Sequence, residues 1–430
     1  MPPSVRDWVP ADSLAAFIND LVNELDLAPF LAAHDEPRGM PPYHPALMLK
    51  VLLYGYATGV TSSPKLEGRL ASDVGFMFLA GQAIPDHMTI SSFRRRHLAA
   101  FGALFLQVLR LSQQAGLVKL GRVAIDGTKL KANASKHKAM SYARMTEREA
   151  QLAAQVAAIL AEAEAVDAAE DAEFGDARGD ELPPELRTRE GRLAKIREAK
   201  AALEQAARER TGNADAVPDP KAQRNFTDPA SKIMVSKPDG WVQGYTVGAV
   251  VDDTAQVIAA TAVTAETTDT RSLPALIDQV TANTGRPPRR VLADAGYASD
   301  DNFAALQDRG IDAYIALGRD RHGATPPPPP RGRIPASLSR RERMGRKLRT
   351  KQGRAHYARR KAIVEPVFGQ IKEARGFRRF SLRGLEQVQA EWLLVAAVHN
   401  LGKLFTSGRA GRVLRGPAIE GRLVLGGAFA

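Results

Sequence analysis

The chain has 430 residues, 44% of them apolar, with a formal charge of +12 and a pI near 9.9, enough for a large core and for two or three domains. That charge points to a polyanionic partner, and the absence of cysteine excludes a disulfide framework and any thiolate metal site. The N-terminus lacks the basic-then-apolar pattern of a signal peptide, and no run approaches the roughly 18 apolar residues of a membrane span, so the expectation is a soluble protein of a reducing, bacterial-type cytosol with no membrane partner.

Apolar residues at Leu14, Phe17, Ile18, Leu21, Val22 and Leu25 recur at helical spacing over 12–33, with Asp12 or Ser13 as the cap. Tyr43 to Tyr56 reads as a Pro45-initiated helix, apolar on most of its circumference and so buried. A short helix over 63–71 follows. Pro85-Asp86-His87-Met88-Thr89 then opens a capped helix carrying Arg94, Arg95 and Arg96, and the helical signal extends over 98–115. A short helix, a turn and a second helix with three arginines predict DNA recognition; the alternative is a helical support with one solvated charged face. His87 and His97 have no partner at ligand spacing and read as structural.

Val123-Ala124-Ile125-Asp126-Gly127 predicts a buried strand that delivers a carboxylate to a sharp turn. A polar basic loop from Lys129 to Lys138 follows, placed to grip phosphates. Composition shifts over 147–209 to Ala, Glu, Arg and Lys, with Pro183-Pro184 near the middle, which predicts a helical hairpin with an acidic first arm; a disordered tether is the alternative. Strands over 244–252 and 257–263 are joined by an Asp252-Asp253 turn. A helix over 268–283 leads to Arg290-Val291-Leu292-Ala293-Asp294, a second apolar strand ending in a carboxylate. A helix over 302–309, a strand over 313–317 and a spacer over 322–332 with five successive prolines come next.

From Arg319 to Arg379 there are 19 Lys and Arg against 4 Asp and Glu, so the positive charge is concentrated there and the rest of the chain is net negative. Within that segment Val364, Phe368 and Ile371 recur at helical spacing around Glu365. Pro366 predicts that the helix begins near Val364, because proline fits the first turn, and the positive helix end favours a carboxylate at Glu365. Most arginines from 331 to 360 read as generic DNA grip. Asp228 and Asp252 sit at turn signals and read as structural, as do His399 and Asn400.

Phosphodiester chemistry with two divalent ions needs acidic oxygens that hold the metals about 3.5 to 4 Å apart, and Asp and Glu are the hard ligands Mg²⁺ prefers. Three carboxylates among many cations supply both parts. Ala124-Ile125-Asp126-Gly127-Thr128, Leu292-Ala293-Asp294-Ala295-Gly296-Tyr297 and Val364-Glu365-Pro366-Val367-Phe368-Gly369-Gln370-Ile371-Lys372 resemble the three acidic motifs of DDE-type insertion-sequence transposases of the RNase H-like superfamily. Tyr43-His44-Pro45, Tyr54-Gly55-Tyr56 and the stretch from Pro85 to Arg94 resemble the helical N-terminal domain of the same family.

The resemblance implies an α/β RNase H-like core with a mixed sheet, preceded by an all-helical domain and interrupted by a helical-hairpin insertion. The expected boundaries are 1–118 for the helical DNA-binding domain, 119–146 with 211–405 for the catalytic domain, 147–210 for the insertion, 319–356 for a basic Pro-rich loop and 406–430 for a tail. It further implies metal-dependent DNA cleavage and strand transfer at element ends, with Asp126, Asp294 and Glu365 as catalytic metal ligands for two Mg²⁺ ions, Mn²⁺ being able to substitute. Partners would be double-stranded DNA and a second copy of the chain. The family helix reads Tyr, two residues, Arg, three residues, Glu, six residues, Lys. Glu365 and Lys372 keep that spacing, Lys361 stands at the Arg position, Arg360 precedes it by one, and Tyr357 lies one residue too far. DNA contacts are expected from Lys372, Arg360, Lys361 and Tyr357, with Lys129, Arg94, Arg95 and Arg96. The alternatives are a catalytically inactive DNA-binding protein derived from a transposase, and a nuclease that cuts without joining.

Overall fold

Hydrophobic period and caps set the elements of a computed structural model that describes residues 4–32, 42–174, 184–236, 239–268, 270–318, 328–332, 335 and 337–414. In chain order the front helices are α1 (Leu14–Glu24), α2 (Ala28–Leu31), α3 (Pro45–Ala57), α4 (Ser63–Leu70), α5 (Val74–Leu79), α6 (His87–Arg96) and α7 (Leu98–Gln114). Then come β1 (Val123–Lys131), β2 (Ala139–Ser141), α8 (Tyr142–Phe174), α9 (Pro184–Thr211), β3 (Gln223–Asn225), β4 (Lys232–Ser236), β5 (Gly240–Asp252), β6 (Ile258–Thr264), α10 (Leu273–Thr284), β7 (Arg290–Ala293), α11 (Asp300–Asp308), β8 (Asp312–Ile315), α12 (Arg340–Arg349), α13 (Lys351–Gly369), a π turn (Gln370–Ala374), α14 (Leu385–Thr406) and α15 (Ala410–Leu414). The tip of the expected hairpin at Pro183, Pro326 and Pro327 of the proline run, and the tail beyond Leu414 lie outside the described residues.

The chain divides into two compact units, one of residues 1–130 with 246–430 and one of residues 131–245. In the first unit the sheet order runs β6, β5, β1, β7, β8. β5 and β6 pair antiparallel from Thr246↔Thr264 onward, whereas β1, β7 and β8 are parallel. Helix α14 is the main buried helix: Val388, Trp392, Leu394, Val398 and Leu401 are each at most 1% exposed, and such side chains contribute about 1.5 to 3 kcal/mol apiece. It packs on α7 and β6. Trp392 Nε1 donates to Thr261 Oγ1, and Asn400 bonds both backbone groups of Ile258.

Two local expectations are corrected. The strand does not turn at Asp126-Gly127 but continues to Lys131, because Gly127 keeps a negative φ and the strand stays paired in the sheet. The helix bearing Glu365 does not start near Val364; it starts at Lys351 and carries Pro366 in its interior. Proline there leaves the carbonyl four residues back without its donor. Gln256 Nε2 supplies that donor to Ala362 O at 2.9 Å, which removes the usual reason for a break.

In the second unit α8 and α9 lie antiparallel around Met145, Leu152, Leu193, Ile196 and Ala199. Pairing runs in opposite directions along the two helices: Tyr142 bonds Glu204, and Glu149 pairs with Arg197 and Lys200. β4 pairs with the first residues of β5, and β2 with β3. Buried Asp228 accepts the Tyr245 hydroxyl at 2.7 Å, a folding role.

Candidate active site and nucleic-acid interface

The parallel register Val123↔Val291 and Ala124↔Leu292, carried on by two positions, sets Asp126 beside Asp294. Neighbouring strands are about 4.8 Å apart, so two apolar runs from distant parts of the chain bring two carboxylates to one place. Asp126 Oδ1 accepts from Gly127 N at 2.8 Å, and its Oδ2 accepts from Arg360 Nη1 at 3.1 Å. Asp294 caps the next turn by accepting from Gly296 N at 2.9 Å.

Burial pushes the Asp126 carboxyl above its ordinary range, opposed by Arg360 and the Gly127 N–H and reinforced by Asp294. Arg360 is 8% exposed. Burial works against its charge, yet Asp126, Tyr357 and Asp294 hold its pKa above the ordinary value. The two partners therefore disagree as a simple ion pair would not: desolvation outweighs the pairing at Asp126. Tyr357 is half-buried; burial raises its hydroxyl, and Arg360, to which it is hydrogen-bonded, opposes that rise.

Glu365 is exposed on α13. Among the described residues its carboxylate makes no hydrogen bond or ion pair, and no group of three His, Asp or Glu side chains could hold a metal ion. Its helix is nonetheless tied to β1 on both sides, by Arg360 to Asp126 and by Lys372, whose Nζ donates to Thr128 Oγ1 and to Lys129 O. The π turn that holds Lys372 adds a residue to the helical turn, a device that recurs at functional sites. Lys361 is exposed. Lys129 Nζ donates to Thr246 Oγ1 and Thr267 O. A cleft of about 780 Å³ opens beside α12 and α13, lined by Arg346, Arg349, Arg354 and Tyr357 together with Leu317 and Leu348.

Arg94 is corrected: it does not face outward with its neighbours. It is 4% exposed and donates to Tyr56 Oη at 3.1 Å, Thr61 O at 2.8 Å and Ser63 Oγ. Tyr56 in turn donates to Glu391 Oε1 at 2.8 Å, so this guanidinium belongs to a buried chain that ends on a carboxylate. Arg95 and Arg96 are exposed. Helix α5 stands between the two helices read as a helix-turn-helix. His97 is buried against Phe93 O and Phe30 O.

Sequence reasoning singled out neither Thr128 nor Gln256. A proline inside a helical period signals an orphan carbonyl at Ala362, but nothing in the sequence says which side chain meets it.

A family model described as a transposase DDE domain matches residues 216–401, and one described as a transposase domain matches residues 3–96. The chain belongs to the insertion-sequence DDE transposases. No curated protein and no solved structure matches it. This transposase has the RNase H-like core of the family, with a helical N-terminal region. Asp294 and Glu365 lie inside the DDE match and Asp126 lies before it; the strand register is what sets Asp126 beside Asp294. Among the described residues no helix of the transposase is long and apolar enough to cross a membrane.

Proposed function

We propose that this transposase cleaves DNA at insertion-sequence ends and joins the freed 3′ ends to target DNA, in a metal-dependent reaction that uses Asp126, Asp294 and Glu365. The observation that carries the reading is the in-register pair Asp126 and Asp294 beside the Arg360 guanidinium. Two hard-oxygen donors, one of them desolvated enough to raise its pKa, fit a divalent ion, Mg²⁺ by ligand chemistry with Mn²⁺ able to substitute. A second ion would need Glu365, whose carboxylate has no partner among the described residues. A divalent ion held there supplies polarisation of the scissile phosphate and a more acidic attacking hydroxyl. Arg360, Tyr357, Lys361, Lys372 and Lys129 hold phosphates around the carboxylates, and exposed Arg95 and Arg96 grip the duplex.

In this reading residues 1–118 bind DNA, residues 119–146 with 211–405 carry the chemistry and residues 147–210 form the insertion. The protein works in a bacterial-type cytosol as a homodimer on two element ends. A second reading, a transposase-derived DNA-binding protein without catalysis, is favoured by the lack of a three-ligand metal group among the described residues. Cleavage of end-bearing DNA with and without Mg²⁺, for the wild type and Glu365→Gln at equal DNA occupancy, decides between them. Metal-dependent cleavage lost in the variant is the expected result; binding without cleavage by either protein would overturn it. Cleavage without joined products would leave a nuclease.

A further inference from the structure

Arg375 follows the π turn and lies in a slot kept open by two glycines. A Cβ at Gly402 on α14 would stand 2.8 Å from its Nη2, and one at Gly59, where φ is +81°, would stand 2.9 Å from its carbonyl oxygen. Its Nη1 is cut off from solvent without an acceptor, and among the described residues the guanidinium forms no hydrogen bond or ion pair. Beside it lies a second half-buried cation, Lys403, whose Nζ donates to Gln256 Oε1 at 2.8 Å. Burial lowers the pKa of both, and the charge of Arg375 lowers that of Lys403 further.

His399 completes the surroundings without adding charge. Burial pushes its pKa down to about 3, and because Gln256 O can only accept, the 2.9 Å contact fixes the proton on Nε2. Among the described residues no acidic group acts on Arg375, Lys403 or His399. Two desolvated like charges side by side are unfavourable unless an anion offsets them. Guanidinium and ammonium donors together match the oxygens of a phosphate.

We propose that Arg375 and Lys403 form a phosphate-binding site that takes one backbone phosphate of bound DNA. That occupant rests on the DNA-processing reading above; the site itself does not. Arg375 comes three residues after Lys372, which reaches β1 at Thr128 and Lys129, two and three residues after Asp126.

The test uses the full chain, with Arg375→Met, Lys403→Met and the double variant, which keep apolar stems and remove charge. Affinity for end-bearing DNA is measured across salt concentrations, and Tm is measured with inorganic phosphate against chloride at matched ionic strength. The double variant should bind DNA about tenfold more weakly, with a salt slope shallower by about one. Phosphate should raise the wild-type Tm and leave that of the double variant unchanged. Without ligand, Arg375→Met should keep or gain Tm, since it removes an unpaired charge; a purely structural arginine would lose it, which would overturn the site. A phosphate response lost in the variants with an unchanged DNA slope would keep the site and overturn DNA as its occupant. A wild type that binds no DNA defeats the transposase reading, and the phosphate arm still decides the site. Variants equal to the wild type in both arms overturn the proposal.

Discussion

Asp252 closes β5 and Asp126 interrupts the apolar run of its neighbour β1, yet the two carboxylates are satisfied in different ways. Asp252 is fully buried and accepts from three backbone N–H groups, those of Leu120 at 2.7 Å, Lys119 at 3.3 Å and Thr254 at 2.8 Å. Asp126 has one backbone donor, and its other oxygen meets the side chain of Arg360. Backbone donors fixed by the fold commit a carboxylate to folding. A carboxylate held by a side chain, beside a second carboxylate, can be given over to another cation. Burial alone does not separate the two roles; the kind of partner does.

The largest effect that would sharpen this contrast is catalytic. Asp126→Asn or Asp294→Asn should lower DNA cleavage on the order of 10⁴-fold at unchanged secondary structure, measured per folded molecule in Mg²⁺. Asp252→Ala should do the reverse, losing about 3 kcal/mol of stability in urea unfolding as its N–H groups lose their acceptor, with cleavage by the folded fraction preserved. Equal cleavage losses at both sites would break the comparison.

The same test applies to two adjacent arginines. Arg94→Met should cost about 3 kcal/mol, because it removes the cation at one end of the buried chain through Tyr56 to Glu391. Arg95→Met should shift stability by less than about 0.5 kcal/mol and instead weaken DNA binding with a shallower salt slope. Denaturation and binding isotherms on both variants separate the roles.

The smallest effect is a pH dependence with a definite sign. The folded-state pKa of Asp126 lies above its unfolded value, so the stability tied to its protonated form is fully present below the ordinary carboxylate pKa and is lost as pH rises through the raised one. Wild-type stability relative to Asp126→Asn should therefore fall as pH rises across that interval and level off toward neutrality. A relative stability that rises over the same interval would mean that Arg360, and not burial, governs Asp126.

Periodicity and caps made most of the elements legible in the sequence. The helix over α1 starts after Ser13, whose side chain accepts from Ala16 N, and the apolar runs at Val123 and Arg290 are strands of the core. These are near-neighbour properties, set by side-chain spacing and backbone preference, and so are written locally. The acidic motifs were legible for the same reason, as short strings with fixed spacing, and the concentration of charge from Arg319 to Arg379 was a matter of counting. Tertiary structure decided the rest, because it depends on contacts between residues far apart in the chain. Strand register put Asp126 beside Asp294; Gln256 answered the carbonyl that Pro366 frees and let a helix run on where local rules end it. Packing turned Arg94 inward among three consecutive arginines, left the Glu365 carboxylate on the exposed side of its helix, and set Arg375 in a slot without a counter-charge among the described residues.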